Sequence, residues 1–334
     1  MERKYISRNS LINCLKKIQA DGVSIYAPAA QGEQTDFRII SSVDDISLNH
    51  IQTVQSAKSV VFPCSEKLFS YKKEKNDVKL QDYNPDELPE TLVFGLHPCD
   101  AAGFHPLGSI FNWDTPDKPY NERRKRATLI SLSCTQADEY CFCTSVNGSP
   151  GNTEGSDILL TPVKEDGYLA EIITAKGNEL YEKYSSFFEE APEGLRKEDY
   201  LAEIPVKFNL EEVNKKITEM FESDVWQKQS ERCIGCGACA FVCPTCACFD
   251  IQENAQGTVG NRIRCWDSCG FSLFTLHTSG HNPREIQSQR WRQRVLHKFS
   301  YLPERLSVVG CTGCGRCSRA CPVDMNLSEN LKMW

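Results

Sequence analysis

The sequence predicts an α+β protein in two parts: a mixed α/β domain over residues 1–225, then a cysteine-rich domain over 226–334 interrupted by an insertion at 244–310. Three observations lead there. Short apolar runs of strand length alternate with helical stripes through the first two-thirds of the chain. The composition changes abruptly at Trp226–Ser230, after which cysteine, glycine and proline recur. Finally, twelve of the 18 cysteines lie between Cys233 and Cys321.

Leu11, Ile12, Leu15 and Ile18 form a helical stripe that Asp21-Gly22 ends, ahead of a strand at Val23–Tyr26. Further strands are expected at Val60–Phe62, Thr91–Leu96 and Ala127–Leu132. The last two are continuous apolar runs, the pattern of strands covered on both faces. Asp157–Val163 and Tyr168–Thr174 flank Lys164-Glu165-Asp166-Gly167, a hairpin with Asp-Gly at its turn. Helices are expected over about 178–190 and 210–227. Residues 66–90 and 112–126 are charged and contain proline, so they read as surface loops. Inside the insertion, Pro283 and the series Gln287, Trp291 and Leu296 predict one long helix ending near Tyr301-Leu302-Pro303. Its Arg290, Arg292 and Arg294 are read either as a docking surface for an acidic partner or as a solvated face.

At 40% hydrophobic and 25% charged, the chain can bury a sizeable core, which excludes disordered and collagen-like classes. No apolar run approaches the ~18–20 residues of a membrane span. The opening Met1–Ser7 carries charge without a following apolar block, so no signal peptide is expected. Thiols at three-residue spacing in a chain of this kind indicate a reduced, cytoplasmic, metal-loaded protein rather than a disulfide scaffold. Residues 231–334 hold 12 Lys+Arg against 8 Asp+Glu, whereas 1–230 hold 26 against 37. The net charge of −7 argues against nucleic acid, and the split suits a subunit placed between two partners.

Cys233, Cys236, Cys239 and Cys243-Pro244 spell C-x2-C-x2-C-x3-C-P, and Cys311, Cys314, Cys317 and Cys321-Pro322 repeat it. Three thiolates two residues apart wrap a tight loop round a cubane, with glycine supplying the unusual dihedrals. The fourth starts a segment leading away and caps the other cluster. This assigns Cys233, Cys236, Cys239 and Cys321 to one 4Fe–4S centre, and Cys311, Cys314, Cys317 and Cys243 to a second, in a bacterial two-4Fe–4S ferredoxin-like domain with a helical insertion. Zinc prefers pairs of ligands separated by a longer finger. The stretch 235–240 matches G-x-G-x-x-G/A formally, but it follows no strand and contains cluster ligands.

Cys243–Asp250, Trp266–Cys269, Gly280-His281-Asn282 and Leu296–Phe299 resemble the 4Fe–4S dicluster subunits of cytosolic oxidoreductases, known as sulfhydrogenase beta subunits and anaerobic sulfite reductase A subunits. The likeness extends upstream to Pro98-Cys99-Asp100 and Cys141–Ser145, with His97 where that pattern has arginine. It implies an electron conduit. Electrons would pass between a flavoprotein subunit that binds FAD and NAD(P)H and a separate catalytic subunit of hydrogenase or sulfite-reductase type.

Cys99 and Cys134 each follow a predicted strand, and Cys141 and Cys143 can loop back to them. If the strands are parallel neighbours, four thiols meet at one sheet edge and a third 4Fe–4S cluster is expected there; buried free cysteines and tetrahedral zinc are the alternatives. Cys246 and Cys248 are expected to pack against the neighbouring cubane, so Cys246, Cys248, Cys265 and Cys269 are not read as a fourth site. Cys14 and Cys64 read as core residues. His105, His277, His281 and His297 lack metal-ligand spacing. No P-loop, H-E-x-x-H or G-x-S-x-G is present, so no FAD or NAD(P) site and no catalytic residue are expected in this chain. The alternatives are a self-contained iron–sulfur reductase with an open cluster and a scaffold merely stapled by clusters.

Overall fold

The computed structural model describes residues 2–163 and 166–333. Strand β1 (Glu2–Ser7) runs into helix α1 (Arg8–Ala20), where Ser7 Oγ accepts the Ser10 N–H at 3.1 Å. This is an N-cap that satisfies an otherwise orphaned donor. Strands β2 (Ser24–Gln31) and β3 (Gln34–Ile39) form a hairpin, and β4 (Ser65–Glu74) and β5 (Asp77–Asp82) form another. Next, β6 (Thr91–Leu96) enters α2 (Pro98–Phe111), and α3 (Lys118–Arg126) enters β7 (Ala127–Leu132). Strands β8 (Ile158–Val163) and β9 (Gly167–Ile172) pair antiparallel as expected; Lys164 and Glu165 of their turn lie outside the described residues. There follow α4 (Ala175–Lys183), β10 (Glu189–Glu190), α5 (Leu210–Glu219), α6 (Val225–Ser230), β11 (Phe249–Gln256), β12 (Val259–Trp266) and α7 (Gln287–Leu296).

The main sheet has the order β10-β1-β9-β8-β7-β6-β2-β3. Its centre, β2-β6-β7-β8, is parallel, and the flanks are antiparallel. The continuous apolar runs behave as strands covered on both faces. Leu92 and Phe94 join the core on the α1 side, while Val93 and Leu96 pack on the α2 side with Phe104, Leu107 and Phe111. Because β6 and β7 are parallel and in register from Thr91↔Ala127, both release the chain at the same sheet edge. Cys99 and Cys134 stand just past those ends.

A second, four-stranded sheet has the order β11-β12-β4-β5. The structure corrects the sequence reading at several places: residues 112–126, expected as a surface loop, contain helix α3, and the second sheet accounts for others. Residues 66–90, expected as a loop, supply the hairpin β4–β5, and the insertion, expected as helical, begins with the hairpin β11–β12. The insertion's helix starts only at Gln287 and continues through a π-helical turn at His297–Tyr301. Val60–Phe62 is not a strand: Ala57–Val60 forms a 3-10 turn that packs Val61 and Phe62 under Trp266. These strands pair across almost 200 residues, and their polar outer faces give no local apolar alternation to read. Within the sheet Arg264 Nε donates to Glu66 Oε1 at 2.7 Å, and the same buried guanidinium reaches Asp117 at the start of α3 at 2.5 Å, which ties the sheet to the main body. It takes two strands from each side of residue 226. The helices expected at 178–190 and 210–227 are each interrupted, the first ending at Lys183 and the second at Glu219 before resuming at Val225. Cys14 is buried, but Cys64 is exposed, against expectation.

A third core joins Phe142 and Val146 to α5, α7, Phe299 and Leu331 beneath the cysteine-rich loops. No helix among the described residues is long and apolar enough to cross a membrane.

Candidate iron–sulfur sites

The first string forms a loop opened by Gly235 and Gly237, at φ +69° and +74°, ahead of a one-turn helix at Ala238–Phe241. Only glycine adopts that conformation without strain, and a Cβ on Gly237 would also strike the Phe271 ring. Cys233, Cys236 and Cys239 line one cavity, and Cys321 from the second string lines it with them. Donors already point at the sulfurs: Gln287 Nε2 lies 3.1 Å from Cys233 Sγ and the Met325 N–H 3.2 Å from Cys321 Sγ. Hydrogen bonds to sulfur are one lever by which a protein sets the potential of such a centre.

The second string repeats this shape with Gly313 and Gly315 at φ +66° and +71°. Cys311, Cys314 and Cys317 line a second cavity together with Cys243 from the first string. Cys317 borders both cavities. Burial pushes the Cys311 thiol up to about 12 and Cys314 up to about 11. Cys243 goes the other way. The Cys246 thiol donating to it, followed by the charges of Lys298 and Arg294, holds it well below the usual thiol range.

The amino-terminal cysteines also come together. Cys99 opens α2 behind Pro98, and Cys134 follows β7 with its Sγ 3.5 Å from His97 Nδ1. Burial drives His97 down to about 4, so a neutral imidazole stands beside Cys134. Cys134, Cys141 and Cys143 feel one another's charge, as do Cys99 and Cys134. Cys99 and Cys143 line a cavity of about 210 Å³ whose wall includes Cys311 and Thr312 of the second string. The contact is close: the Phe142 N–H donates to the Gly313 carbonyl at 2.9 Å, and a Cβ on Gly313 would collide with the Cys143 backbone.

Two ion pairs weld this region to the second string. Arg316, 1% exposed at its side chain, donates to Asp100 Oδ1 at 2.6 Å and to Gln52 Oε1 at 2.5 Å, while Gln52 Nε2 lies 3.4 Å from Cys99 Sγ. Arg319 donates to Asp138 at 2.8 Å and to Cys141 Sγ at 3.3 Å.

The basic helix is not a docking face. Arg290 and Arg294 of α7, and Lys298 one turn on, are buried and face the thiols. Arg294 donates to the Cys239 carbonyl at 2.7 Å and to Cys246 Sγ at 3.5 Å; Lys298 donates to Cys243 Sγ at 3.3 Å. Only Arg292 turns outward, stacked over Phe221. Sequence reasoning missed this because a charged helical stripe is ordinarily solvated; the i, i+4, i+8 spacing of 290, 294 and 298 was the available clue.

These sites fit cubanes. Among the described residues no three His, Cys, Asp or Glu side chains close on a point that would hold a lone ion; the thiols of the two strings stand round cavities instead, and of the amino-terminal four Cys99 and Cys143 line one. The buried cations beside them also call for an anionic group, since an uncompensated buried charge is costly.

Fold and site together define a 4Fe–4S dicluster protein, and the 4Fe-4S dicluster domain family model matches residues 232–325. Over 305 residues, the chain is 32% identical to Sulfhydrogenase 2 subunit beta of Pyrococcus furiosus, covering 89% of this chain and 88% of that protein. The chain belongs to the sulfhydrogenase beta subunit family. No solved structure matches it. It is an iron–sulfur electron-transfer subunit.

Proposed function

We propose that this chain is the cytoplasmic relay of an NAD(P)H-linked complex, carrying single electrons between an FAD-binding flavoprotein subunit and a catalytic subunit of hydrogenase or sulfite-reductase type. Three 4Fe–4S clusters would be held by Cys233, Cys236, Cys239 and Cys321; by Cys311, Cys314, Cys317 and Cys243; and by Cys99, Cys134, Cys141 and Cys143. The observation that carries this reading is contiguity. Cys317 borders the first two cavities, and Cys311 borders the second and the third, so the thiol sets form an unbroken series. When bound, the clusters supply one-electron capacity. The chain's own residues position the thiolates, donate to their sulfurs and exclude water.

NAD(P)H delivers a hydride, so a flavin must split the electron pair before such a relay can accept it. The relative's name marks it as one subunit of a larger enzyme, which supports a multisubunit setting here. The test uses the anaerobically purified chain with its clusters in place. NAD(P)H alone should leave the visible cluster absorbance unchanged, and bleaching should appear only after a flavoprotein subunit is added. Direct bleaching of the isolated chain would overturn the relay.

A further inference from the structure

Four cysteines of the insertion, Cys246, Cys248, Cys265 and Cys269, are not used by the three sites above. The structure divides them. Cys265 sits on β12 against Ser65, its Sγ 3.5 Å from the serine hydroxyl, and is not among the residues lining the cavity that the others share. The remaining three converge. The thiols of Cys248 and Cys269 are in hydrogen-bonding contact, and Cys246 touches Cys243. Cys246, Cys248 and Cys269 line a cavity of about 360 Å³ together with Arg284, Arg294 and Lys298.

We infer that Cys246, Cys248 and Cys269 hold a further iron–sulfur cluster through three thiolates, its fourth iron facing this cavity and open to a small anion. This goes beyond the relay reading and does not depend on it.

Charge argues for it first. Lys58 is 3% exposed, yet its ammonium finds no carboxylate among the described residues. It donates to the carbonyls of Ala240 at 3.3 Å and Cys246 at 3.1 Å, and lies 4.0 Å from the Trp266 ring centroid. The anionisable groups nearest it are Cys246, Cys243 and Cys248. Arg294 and Lys298 likewise meet only thiols, a hydroxyl and carbonyls. Three buried cations therefore surround this group of sulfurs, and of the thiols facing Lys58 only Cys243 belongs to a cluster already assigned. Thiolates bridged to iron at Cys246 and Cys248 complete the compensation of three cations.

Size argues next. The cavity exceeds what a cubane anchored on its thiol wall would fill, and the remaining wall is basic through Arg284, Arg294 and Lys298. Position is the third point. Contact between Cys246 and Cys243 places the new cluster directly beside the second, so it can exchange electrons with the relay.

Iron and Mössbauer analysis of the anaerobically purified wild type should count about 16 irons per chain rather than about 12, at four per cubane. Cys248→Ser and Cys269→Ser should each lose about a quarter of the iron, whereas Cys265→Ser should lose none. A cluster corner without a protein ligand gives up its iron on mild oxidation. Ferricyanide should therefore produce a three-iron electron paramagnetic resonance signal in wild type that both serine variants lack. A wild-type count of about 8, which needs no variant to fold, overturns the inference, and so does a count of about 12 of which Cys99→Ser loses a share and Cys248→Ser none. So does full iron retention in both serine variants, or a Cys248–Cys269 disulfide in the purified chain. Loss of iron from Cys248→Ser with none lost from Cys99→Ser would keep this site and remove the third relay site; the converse would do the opposite.

Discussion

Lys298 offers the sharpest test of how the fold treats its clusters. Its ammonium is buried and donates to Cys243 Sγ at 3.3 Å, to Thr245 Oγ1 at 2.9 Å and to the Gly310 carbonyl at 2.6 Å. Reduction adds one negative charge spread over the cubane, so the relevant separation is about 6 Å, and at an effective dielectric of about 20 Coulomb's law gives about 3 kcal/mol. For a one-electron couple that corresponds to roughly 120 mV. The sign follows from the charge: a cation stabilises the reduced, more anionic cluster and holds the potential up. Lys298→Met should therefore lower the potential of the cluster closed by Cys243 by roughly 100 mV, while Lys298→Arg, which keeps the charge, should leave it near the wild-type value. The Gly310 carbonyl retains the Thr245 hydroxyl at 2.7 Å, so the methionine variant orphans no acceptor there. The assay is a redox titration followed by electron paramagnetic resonance on protein of verified iron content. An unshifted potential in a fully loaded Lys298→Met variant would refute the claim that this buried cation serves the cluster.

Two further outcomes test the assembly. Cys321→Ser should bleach the site of Cys233, Cys236 and Cys239 and spare that of Cys311, Cys314 and Cys317, as the two cavities group the thiols; separate spectral signatures would show it, and the reverse pattern would mean each string closes its own centre. Arg316→Ala leaves Asp100 buried without its partner and should cost about 3–5 kcal/mol in anaerobic denaturant unfolding, with the Cys99 site lost first. A cost below about 1 kcal/mol would show that the pair is not the weld between the two halves.

Residues 233–243 and 311–321 carried their chemistry openly. Ligand spacing within a tight loop is a local property, and the glycines between the thiols sit at the positive φ that the loop demands. The placing of Cys321 beside the first string's thiols and of Cys243 beside the second's was legible too, because the fourth cysteine of each string begins a segment that leads away from its own loop. The convergence of Cys99 and Cys134 followed from two apolar strands, since parallel neighbours release their chains at one edge.

Other features depended on long-range pairing or on which way a face turned. Strands β4 and β5 are polar on their outer surface, and their partner β12 lies almost 200 residues away, so nothing nearby in sequence marked them as sheet. The inward turn of Arg290, Arg294 and Lys298 contradicted the usual solvation of charge, and Lys58 gave no local sign of being buried. The sequence by itself determined that its two strings belong to a 4Fe–4S dicluster domain and pointed to an exchange of their fourth cysteines, because those are matters of spacing along the chain. Only the tertiary structure decided where the compensating cations lie and that Cys246, Cys248 and Cys269 face one another, because burying a charge is worthwhile only beside an anion brought near by distant parts of the chain.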